Sequence, residues 1–241
     1  LKHARLSLKA WDYRNALYGC HRVLVLRLSS LGGFSPFGAS PPVHFSHGGI
    51  NMALIFQRLA HNFIKNGYYP TDGTTVSGIL SALDIGGKTM RILDPCCGEG
   101  CALAEVRHHL TGCGADVASY GIEFDKERAW HAKQILDRVV HSDVHDVVVS
   151  PRSVGLLFLN PPYGDVVSDT AQTGDKTKHD RLEKVFFRKT IGTLQYDGVM
   201  VLIVPTYVID ADFASMISRH CNRVTMFKAP ETRFKQSVIF G

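Results

Sequence analysis

The stretch "ILDPCCGEG", residues 92–100, decides the fold. An apolar segment ends at Asp94-Pro95, a loop carries Gly98 and Gly100, and a helical pattern begins at Cys101. Glycines permit a tight turn and let a ligand approach the backbone closely, while the Asp94 carboxylate can accept hydrogen bonds from a cationic amine. The stretch therefore predicts a strand, a ligand-binding loop and a helix, which is the repeating unit of an α/β protein.

The same alternation continues along the chain. Strand-like runs lie at 91–93, 119–122, 139–140, 155–159, 199–204, 223–227 and 237–240, and helical patterns at 101–110, 126–138, 181–194 and 211–220. Strands that alternate with helices predict a mostly parallel sheet covered on both faces. Because no helix separates the last two strands, we expect them to form an antiparallel hairpin at one edge. Ligands of such sheets bind beyond the carboxyl ends of the strands.

Composition limits the class of protein. The 241 residues are 45% hydrophobic and 20% charged, enough for the core of one α/β domain. No stretch is apolar over the length that a bilayer requires, so we expect no membrane association. The six cysteines form no CxxC pair and have no Cys/His spacing typical of zinc sites, which predicts free thiols, no metal site and a cytoplasmic protein.

The formal net charge of +5 comes entirely from residues 1–51, because residues 52–241 hold equal numbers of basic and acidic side chains. The excess of positive charge is therefore no sign of a DNA-binding surface on residues 52–241.

Residues 1–51 also differ in pattern from residues 52–241. They are rich in Ser, Gly and Pro at 29–42, whereas apolar residues recur at helical spacing over 52–67. Residues 48–51, Gly-Gly-Ile-Asn, can be encoded by a sequence that looks like a bacterial ribosome-binding site. We therefore predict that Met52 is the true start, that residues 1–51 are leader sequence outside the fold and that 52–241 form one domain. A genuine N-terminal extension remains the alternative.

Two further motifs come directly after predicted strands. In "YGIEFD", residues 120–125, Glu123 can accept hydrogen bonds from both hydroxyls of a ribose, and Phe124 can stack on a base. The alternative for Phe124 is a place in the core. In "HSDVHD", residues 141–146, Asp143 can accept from an exocyclic amine, or it can cap a turn.

The segment "LNPPYGD", residues 159–165, follows an apolar run that is typical of a buried strand, and its two prolines cannot donate to a neighbouring strand and stiffen the chain. Asn160 can present its side-chain carbonyl, and Pro161 its backbone carbonyl, to the two hydrogens of an amino group. Pro161 and Pro162 hold that pair rigid, and Tyr163 can stack on a planar substrate. The segment therefore predicts a binding site for a planar amino group.

Together these motifs resemble the class I S-adenosylmethionine-dependent methyltransferases, and "NPPY" resembles the catalytic motif of the N6-adenine DNA methyltransferases. The resemblance spans residues 67–241. It implies a Rossmann-like, doubly wound, seven-stranded sheet that is mostly parallel with an antiparallel last strand, in a catalytic domain over 52–241. It also implies S-adenosyl-L-methionine as the cofactor.

By this resemblance each motif receives a role. The catalytic residues are Asn160, Pro161, Pro162 and Tyr163, and the cofactor-binding residues are Asp94, Pro95, Gly98 and Gly100 for the methionine moiety, Glu123 for the ribose, Phe124 and Asp143 for the adenine, and Asn160. The segment "GYYPTDG", residues 67–73, is similar to the one that contacts the methionine end, with Tyr69 and Thr71 as contributors. Many relatives have Pro70 and Thr71 in the opposite order, which weakens the assignment of Thr71.

The resemblance implies methyl transfer to a planar exocyclic amino group, with N6 of adenine in DNA as the first choice. Adenine in RNA and a glutamine amide in a protein pose the same chemical problem. A non-catalytic, cofactor-binding accessory protein is the alternative of another class. If DNA is the substrate, we expect a specificity domain or subunit in addition to this chain, since the neutral charge of 52–241 supplies few phosphate contacts.

Overall fold

The computed structural model describes residues 6–8, 69–85, 89–164, 181–230 and 234–241. Its strands are β1 Leu6–Leu8, β2 Leu83–Ile85, β3 Thr89–Asp94, β4 Asp116–Glu123, β5 Arg138–His141, β6 Val154–Leu159, β7 Leu194–Pro205, β8 Thr225–Lys228 and β9 Gln236–Phe240. Its helices are α1 Gly73–Ala82, α2 Cys101–Gly112, α3 Lys126–Ile135, α4 Leu182–Thr190 and α5 Ala211–His220.

Seven strands form one sheet in the order β5-β4-β3-β6-β7-β9-β8. The first five in this order are parallel, whereas β9 pairs antiparallel with both β7 and β8. Within this sheet, the first strand in sequence is the central strand β3. The next two strands, β4 and β5, extend the sheet on one side of β3, and β6 then pairs with β3 on its other side. This reversal brings the carboxyl ends of β3 and β6 side by side, and the predicted fold class and edge hairpin are confirmed.

Each face of the sheet carries its own core. On β6, Leu156 and Phe158 join the core under α1, α2 and α3, whereas Leu157 and Leu159 join the one under α4 and α5. Every residue of β6 is buried, so this strand reads as a continuous apolar run. Burying a Leu or Phe side chain stabilises a fold by about 1.5–3 kcal/mol, so the two cores keep β6 and the residues directly after it in place.

Aspartates begin three of the helices. Asp72, Asp125 and Asp210 each accept a hydrogen bond from the backbone N–H three positions on, at 3.0, 2.9 and 2.8 Å. Such caps stabilise a helix by about 1 kcal/mol. The sequence pattern did not predict α1, because its ten residues, GTTVSGILSA, have a short apolar face interrupted by glycine.

Several predicted boundaries moved. Helix α3 ends at Ile135 instead of 138, since Asp137 leaves the helix to bind the backbone N–H and hydroxyl of Ser119 at 2.8 and 2.7 Å. Helix α4 ends at Thr190, and β7 begins at Leu194 instead of 199 because Val154 pairs with Leu194 before an irregularity in register.

Near the N-terminus, β1 pairs antiparallel with β2, with Ser7 opposite Asp84. The predicted helix over 52–67 and the predicted boundary at Met52 lie outside the described residues, and that boundary stays a prediction. Among the described helices, none is both long enough and apolar enough to cross a membrane.

Candidate active site

Three adjacent strands end in the polar residues that the sequence singles out. Asp94 ends β3, Glu123 ends β4, and Asn160 comes directly after β6. Because β3 pairs in parallel with both β4 and β6, these residues lie side by side at the carboxyl ends of the three strands. The structure thus brings together the motifs of residues 92–100, 120–125 and 159–165.

The glycine loop connects these strand ends. The backbone N–H of Gly98 donates to Glu123 Oε2 at 2.9 Å, and the thiol of Cys96 donates to the backbone carbonyl of Asn160 at 3.2 Å. Gly100 begins α2 in a left-handed conformation with φ of 85°, which a residue with a Cβ atom adopts only with strain. The loop is therefore in direct contact with both neighbouring strands.

Asp94 is the buried acid of this loop, with 3% of its surface exposed, and the neighbouring Pro95 is also buried. One carboxylate oxygen accepts from the backbone N–H of Cys96 at 2.9 Å. Burial raises the pKa of Asp94 to about 7, and the nearby Glu123 contributes to the rise. A buried carboxylate next to a second acid is suited to bind a cationic group, which would replace the lost hydration.

Glu123 is 5% exposed and has several hydrogen-bond donors around it. Its Oε1 accepts from the backbone of Asp125 at 2.8 Å and from Nε and Nη2 of Arg128 at 3.1 and 2.7 Å. Its Oε2 accepts from Gly98. Because Oε1 already accepts from three donors, Oε2 is the oxygen that can accept from a further hydroxyl.

The next two predicted residues are more exposed. Phe124 has 72% of its surface exposed, so it is not part of the core, and the alternative role raised for it is wrong. Asp143 caps the short 3₁₀ helix Val144–Asp146, and its Oδ1 accepts from the backbone and ring nitrogens of His145 at 2.8 and 2.7 Å. The hydrogen bond from the His145 backbone is the largest cause of the lowered pKa of Asp143.

The amide of Asn160 has a fixed orientation. Its Nδ2 donates to the backbone carbonyl of Tyr69 at 2.8 Å and to Thr71 Oγ1 at 3.0 Å. A carbonyl oxygen only accepts, so the nitrogen of the amide must face Tyr69 and the oxygen must face the other way. The side-chain carbonyl of Asn160 is thereby held as an acceptor.

Tyr163 binds the oxygen of that amide. Its hydroxyl donates to Asn160 Oδ1 at 2.9 Å and accepts from Gln236 Nε2 at 2.5 Å. Burial raises the pKa of Tyr163, so the phenol keeps its proton. Its ring stacks on the ring of Tyr69 with centroids 4.7 Å apart and planes inclined by 17°. Tyr69 thus covers one face of the Tyr163 ring.

A cavity of about 310 Å³ opens beside these rings. It is lined by Tyr69, Tyr163, Pro205, Tyr207, Phe234 and Lys235. The volume is at the lower end of the range of about 300–1,000 Å³ that is usual for ligand pockets, and aromatic walls suit a flat ligand.

Tyr69 and Thr71 contact the acceptor residue Asn160. Their contact with the cofactor stays a prediction. Pro161 is buried and Pro162 is half-buried, as expected for a stiff segment that ends a core strand.

Sequence reasoning missed several residues of this region. Arg128 binds Glu123, Gln236 binds Tyr163, and Phe234 packs edge-on against Tyr69 with centroids 4.7 Å apart. Gln236 carried a weak signal, since it is an amide at the start of a strand whose other residues are apolar or small. Glu183, fully buried at the start of α4 and paired with Arg181 at 3.2 Å, carried none.

The sheet order with one antiparallel strand between β7 and β8, together with the glycine loop, defines the class I methyltransferase fold. The chain belongs to the family described as "Uncharacterised methyltransferase family (DUF6094)", whose model matches residues 36–241. The chain is therefore a member of a methyltransferase family, and its fold is that of the class I S-adenosylmethionine-dependent methyltransferases. The match begins upstream of Met52. No curated protein matches the chain.

Solved structures share this fold. A Listeria monocytogenes protein assigned as a class I S-adenosylmethionine-dependent methyltransferase is 22% identical, with a TM-score of 0.53 over 64% of this chain and 53% of its own. The methyltransferase subunit of a type I restriction-modification system from Streptococcus thermophilus is 16% identical, with a TM-score of 0.52 over 72% and 44%. This chain thus spans about half the length of each. At these identities the likeness shows the fold alone.

Proposed function

We propose that this protein transfers the methyl group of S-adenosylmethionine to N6 of adenine in DNA, with Asn160 and Pro161 as the acceptors of the amino hydrogens. The orientation of the Asn160 amide carries the proposal. Tyr69 and Thr71 occupy the nitrogen side, so the oxygen is directed away from them as a hydrogen-bond acceptor. A carbonyl oxygen has two lone pairs, and Tyr163 uses one. The second is free to accept from the substrate.

The residues predicted to hold the cofactor suit its chemistry. A buried Asp94 with a raised pKa fits the ammonium group of the methionine moiety, Glu123 Oε2 fits a ribose hydroxyl, and the exposed ring of Phe124 fits a base. Pro95, Gly98 and Gly100 shape the backbone beside that ammonium group, and Asp143 retains Oδ2 to accept from an adenine amine. Bound S-adenosylmethionine supplies an electrophilic methyl carbon on a sulfonium.

The acceptors then act on the substrate nitrogen. The lone pair of an aromatic amine is delocalised into the ring, which makes the nitrogen a poor nucleophile. Two carbonyl acceptors at Asn160 and Pro161 favour a pyramidal nitrogen and stabilise the positive charge that develops on it. Pro162 keeps the two carbonyls rigid, so little reorganisation is needed. The excess proton leaves to solvent after methyl transfer, since neither carbonyl can retain it.

Adenine in duplex DNA cannot reach Asn160 while it is stacked, so it must be flipped out of the helix. The aromatic cavity beside Tyr163 supports a flat ligand of this kind. The likeness in fold to a restriction-modification subunit is in keeping with a DNA substrate. We propose that a specificity domain or subunit supplies the phosphate contacts, because residues 52–241 carry no net charge.

The test is incubation with isotopically labelled S-adenosylmethionine and, separately, DNA, RNA and cell protein, followed by mass spectrometry of the digests. We expect N6-methyladenine from DNA. Asn160→Ala should lower the rate by about 10²–10³-fold while cofactor affinity stays within a few-fold, because one preorganised hydrogen bond is lost. Tyr196→Ala, an exposed aromatic at the other end of β7, is the control and should match the wild type.

Three outcomes contradict the proposal. N6-methyladenine from RNA alone or methylglutamine alone would assign another substrate to the same site. Loss of cofactor binding in Asn160→Ala would make Asn160 a structural residue. The absence of any methylated product would favour the non-catalytic accessory protein.

A further inference from the structure

Gln236 is a buried amide at the start of a strand that is otherwise apolar or small. It begins β9, and 2% of its surface is exposed. Burying an amide costs free energy unless its polar atoms are bonded. Its Nε2 donates to the hydroxyl of Tyr163, 73 positions away, at 2.5 Å. Gln236 therefore contacts the candidate site through one side chain, that of Tyr163.

The direction of each hydrogen bond in this series is set by the first one. Because the carbonyl of Tyr69 only accepts, Asn160 must present its nitrogen to Tyr69 and its oxygen to Tyr163. The hydroxyl of Tyr163 must then give its hydrogen to Asn160.

The hydroxyl oxygen of Tyr163 is left to accept. Gln236 must supply the donor, which assigns the orientation of the Gln236 amide without any further contact.

We infer that Gln236 is a positioning residue, which directs the Tyr163 hydroxyl toward Asn160 and so keeps the second lone pair of Asn160 Oδ1 aimed at the substrate amine. This inference rests on the proposed function, in that Asn160 Oδ1 accepts from the substrate. It does not depend on whether that substrate is adenine in DNA, adenine in RNA or a glutamine amide.

The decisive variant is Gln236→Glu, which has nearly the same shape and the opposite hydrogen-bonding character. An ionised carboxylate only accepts, so it competes with Asn160 for the hydrogen of Tyr163. We expect kcat to fall about tenfold, less than for the direct loss of a catalytic hydrogen bond, with KM and cofactor affinity unchanged. Gln236→Leu removes the donor without adding a competitor, so its kcat should fall only a few-fold.

Two readouts separate positioning from general damage to the fold. In a Tyr163→Phe background there is no hydroxyl to direct, so Gln236→Glu should have no further effect on kcat. At low pH the carboxyl of the Gln236→Glu variant becomes protonated and can donate, so the ratio of variant to wild-type kcat should rise as pH falls. Burial raises the pKa of such a carboxyl and brings this recovery into a workable range.

Other titratable groups near Tyr163 are present in both proteins. These are Glu183, Cys96 and Tyr69, which act on the pKa of Tyr163, together with Asp94 at the cofactor loop. Using the ratio of the two kcat values at each pH removes their common effect.

The coupling between positions 236 and 163 can also be measured without catalysis, as a double-mutant cycle in protein stability. In urea unfolding at pH 8, Gln236→Glu should destabilise the protein more than Gln236→Leu does, and this difference should grow in the Tyr163→Phe background, where the buried carboxylate has lost the hydroxyl that donates to it. A difference that is the same with Tyr or Phe at position 163 would overturn the inference. Equal losses of kcat in the Glu and Leu variants, or losses that persist with Phe at 163, would overturn the inference. If no substrate is methylated, the proposed function fails, and the unfolding cycle still decides the inference.

Discussion

The two sides of the candidate site are held by contacts of different range. On the cofactor side, defined here as Asp94, Gly98 and Glu123, the bonded partners are close in sequence: Asp94 bonds two positions away and Gly98 25 positions away. On the acceptor side, defined as Asn160 and Tyr163, these two residues bond to each other, and their partners outside the pair are 91, 89 and 73 positions away.

Residues close in sequence can therefore form most contacts of the cofactor side, whereas the contacts of the acceptor side form only when the whole sheet is assembled. The two sides meet at one described hydrogen bond, from the Cys96 thiol to the Asn160 carbonyl at 3.2 Å. We accordingly expect changes on one side to leave the other largely intact, and three predictions test this independence.

The largest effect should come from the charge of Asp94. Asp94→Asn should weaken S-adenosylmethionine binding about 10–100-fold at pH 8, because a charge-assisted hydrogen bond is lost. In the wild type, burial raises the pKa of Asp94 to about 7. A cationic ligand needs the carboxylate, so binding should be full above pH 7 and weaken about tenfold per pH unit below it. Calorimetry between about pH 5.5 and 8.5 measures both effects.

Asp94→Asn is its own control for the pH dependence, since its affinity should stay constant over that range. The apoprotein gives a second check. A raised pKa means that the ionised form of Asp94 is disfavoured in the fold, so the contribution of Asp94 to wild-type stability should decline as pH rises from 3.8, its ordinary pKa, to about 7 and stay constant above that, and Asp94→Asn should not show this decline. A wild-type affinity that is flat over the same pH range contradicts the assignment of Asp94.

The difference in range also explains what the sequence could predict. The strand, loop and helix around 92–100 and the positions of Asp94, Glu123 and Asn160 at strand ends derive from local patterns, and the sheet order agrees with them. The partners of Asn160 and Tyr163 do not, because Gln236 and Tyr69 reach the site only after β9 inserts beside β7 and α1 packs on the sheet. Helix α1 was missed since its apolar face is short.

The second prediction concerns packing on the cofactor side. A Cβ atom at Gly121 on β4 would lie 2.6 Å from Cys97 Sγ and 3.0 Å from Leu136 Cδ1. Gly121→Ala should lower the free energy of unfolding by about 1–3 kcal/mol, as overpacking does, and should displace the glycine loop. Urea unfolding at equilibrium measures this change.

Cys97→Ala removes the sulfur atom, so it should restore at least half of the stability that Gly121→Ala loses. Equal destabilisation by Gly121→Ala with Cys or Ala at position 97 would mean that the strain lies elsewhere. Because the acceptor side is held independently, the Gly121→Ala effect on methyl transfer should vanish at saturating cofactor.

The third prediction, with the smallest expected effect, compares the two sides directly. An aromatic residue at each side is replaced by alanine, and the losses of stability and of cofactor affinity are compared. Phe124, which follows Glu123 of the cofactor side, is 72% exposed, so Phe124→Ala should change the free energy of unfolding by less than about 0.5 kcal/mol. Its loss should weaken cofactor binding only about 2–10-fold, the usual worth of one aromatic stacking contact.

Tyr163→Ala on the acceptor side removes a stacked ring, a long-range hydrogen bond to Gln236 and a local one to Asn160, so it should destabilise the protein by about 2 kcal/mol and leave cofactor affinity unchanged. Thermal unfolding with and without S-adenosylmethionine measures both quantities, and Tyr196→Ala serves as the exposed aromatic control. If Phe124→Ala destabilised the apoprotein as much as Tyr163→Ala did, the cofactor side would depend on the global fold too. The difference in range would then have no functional meaning.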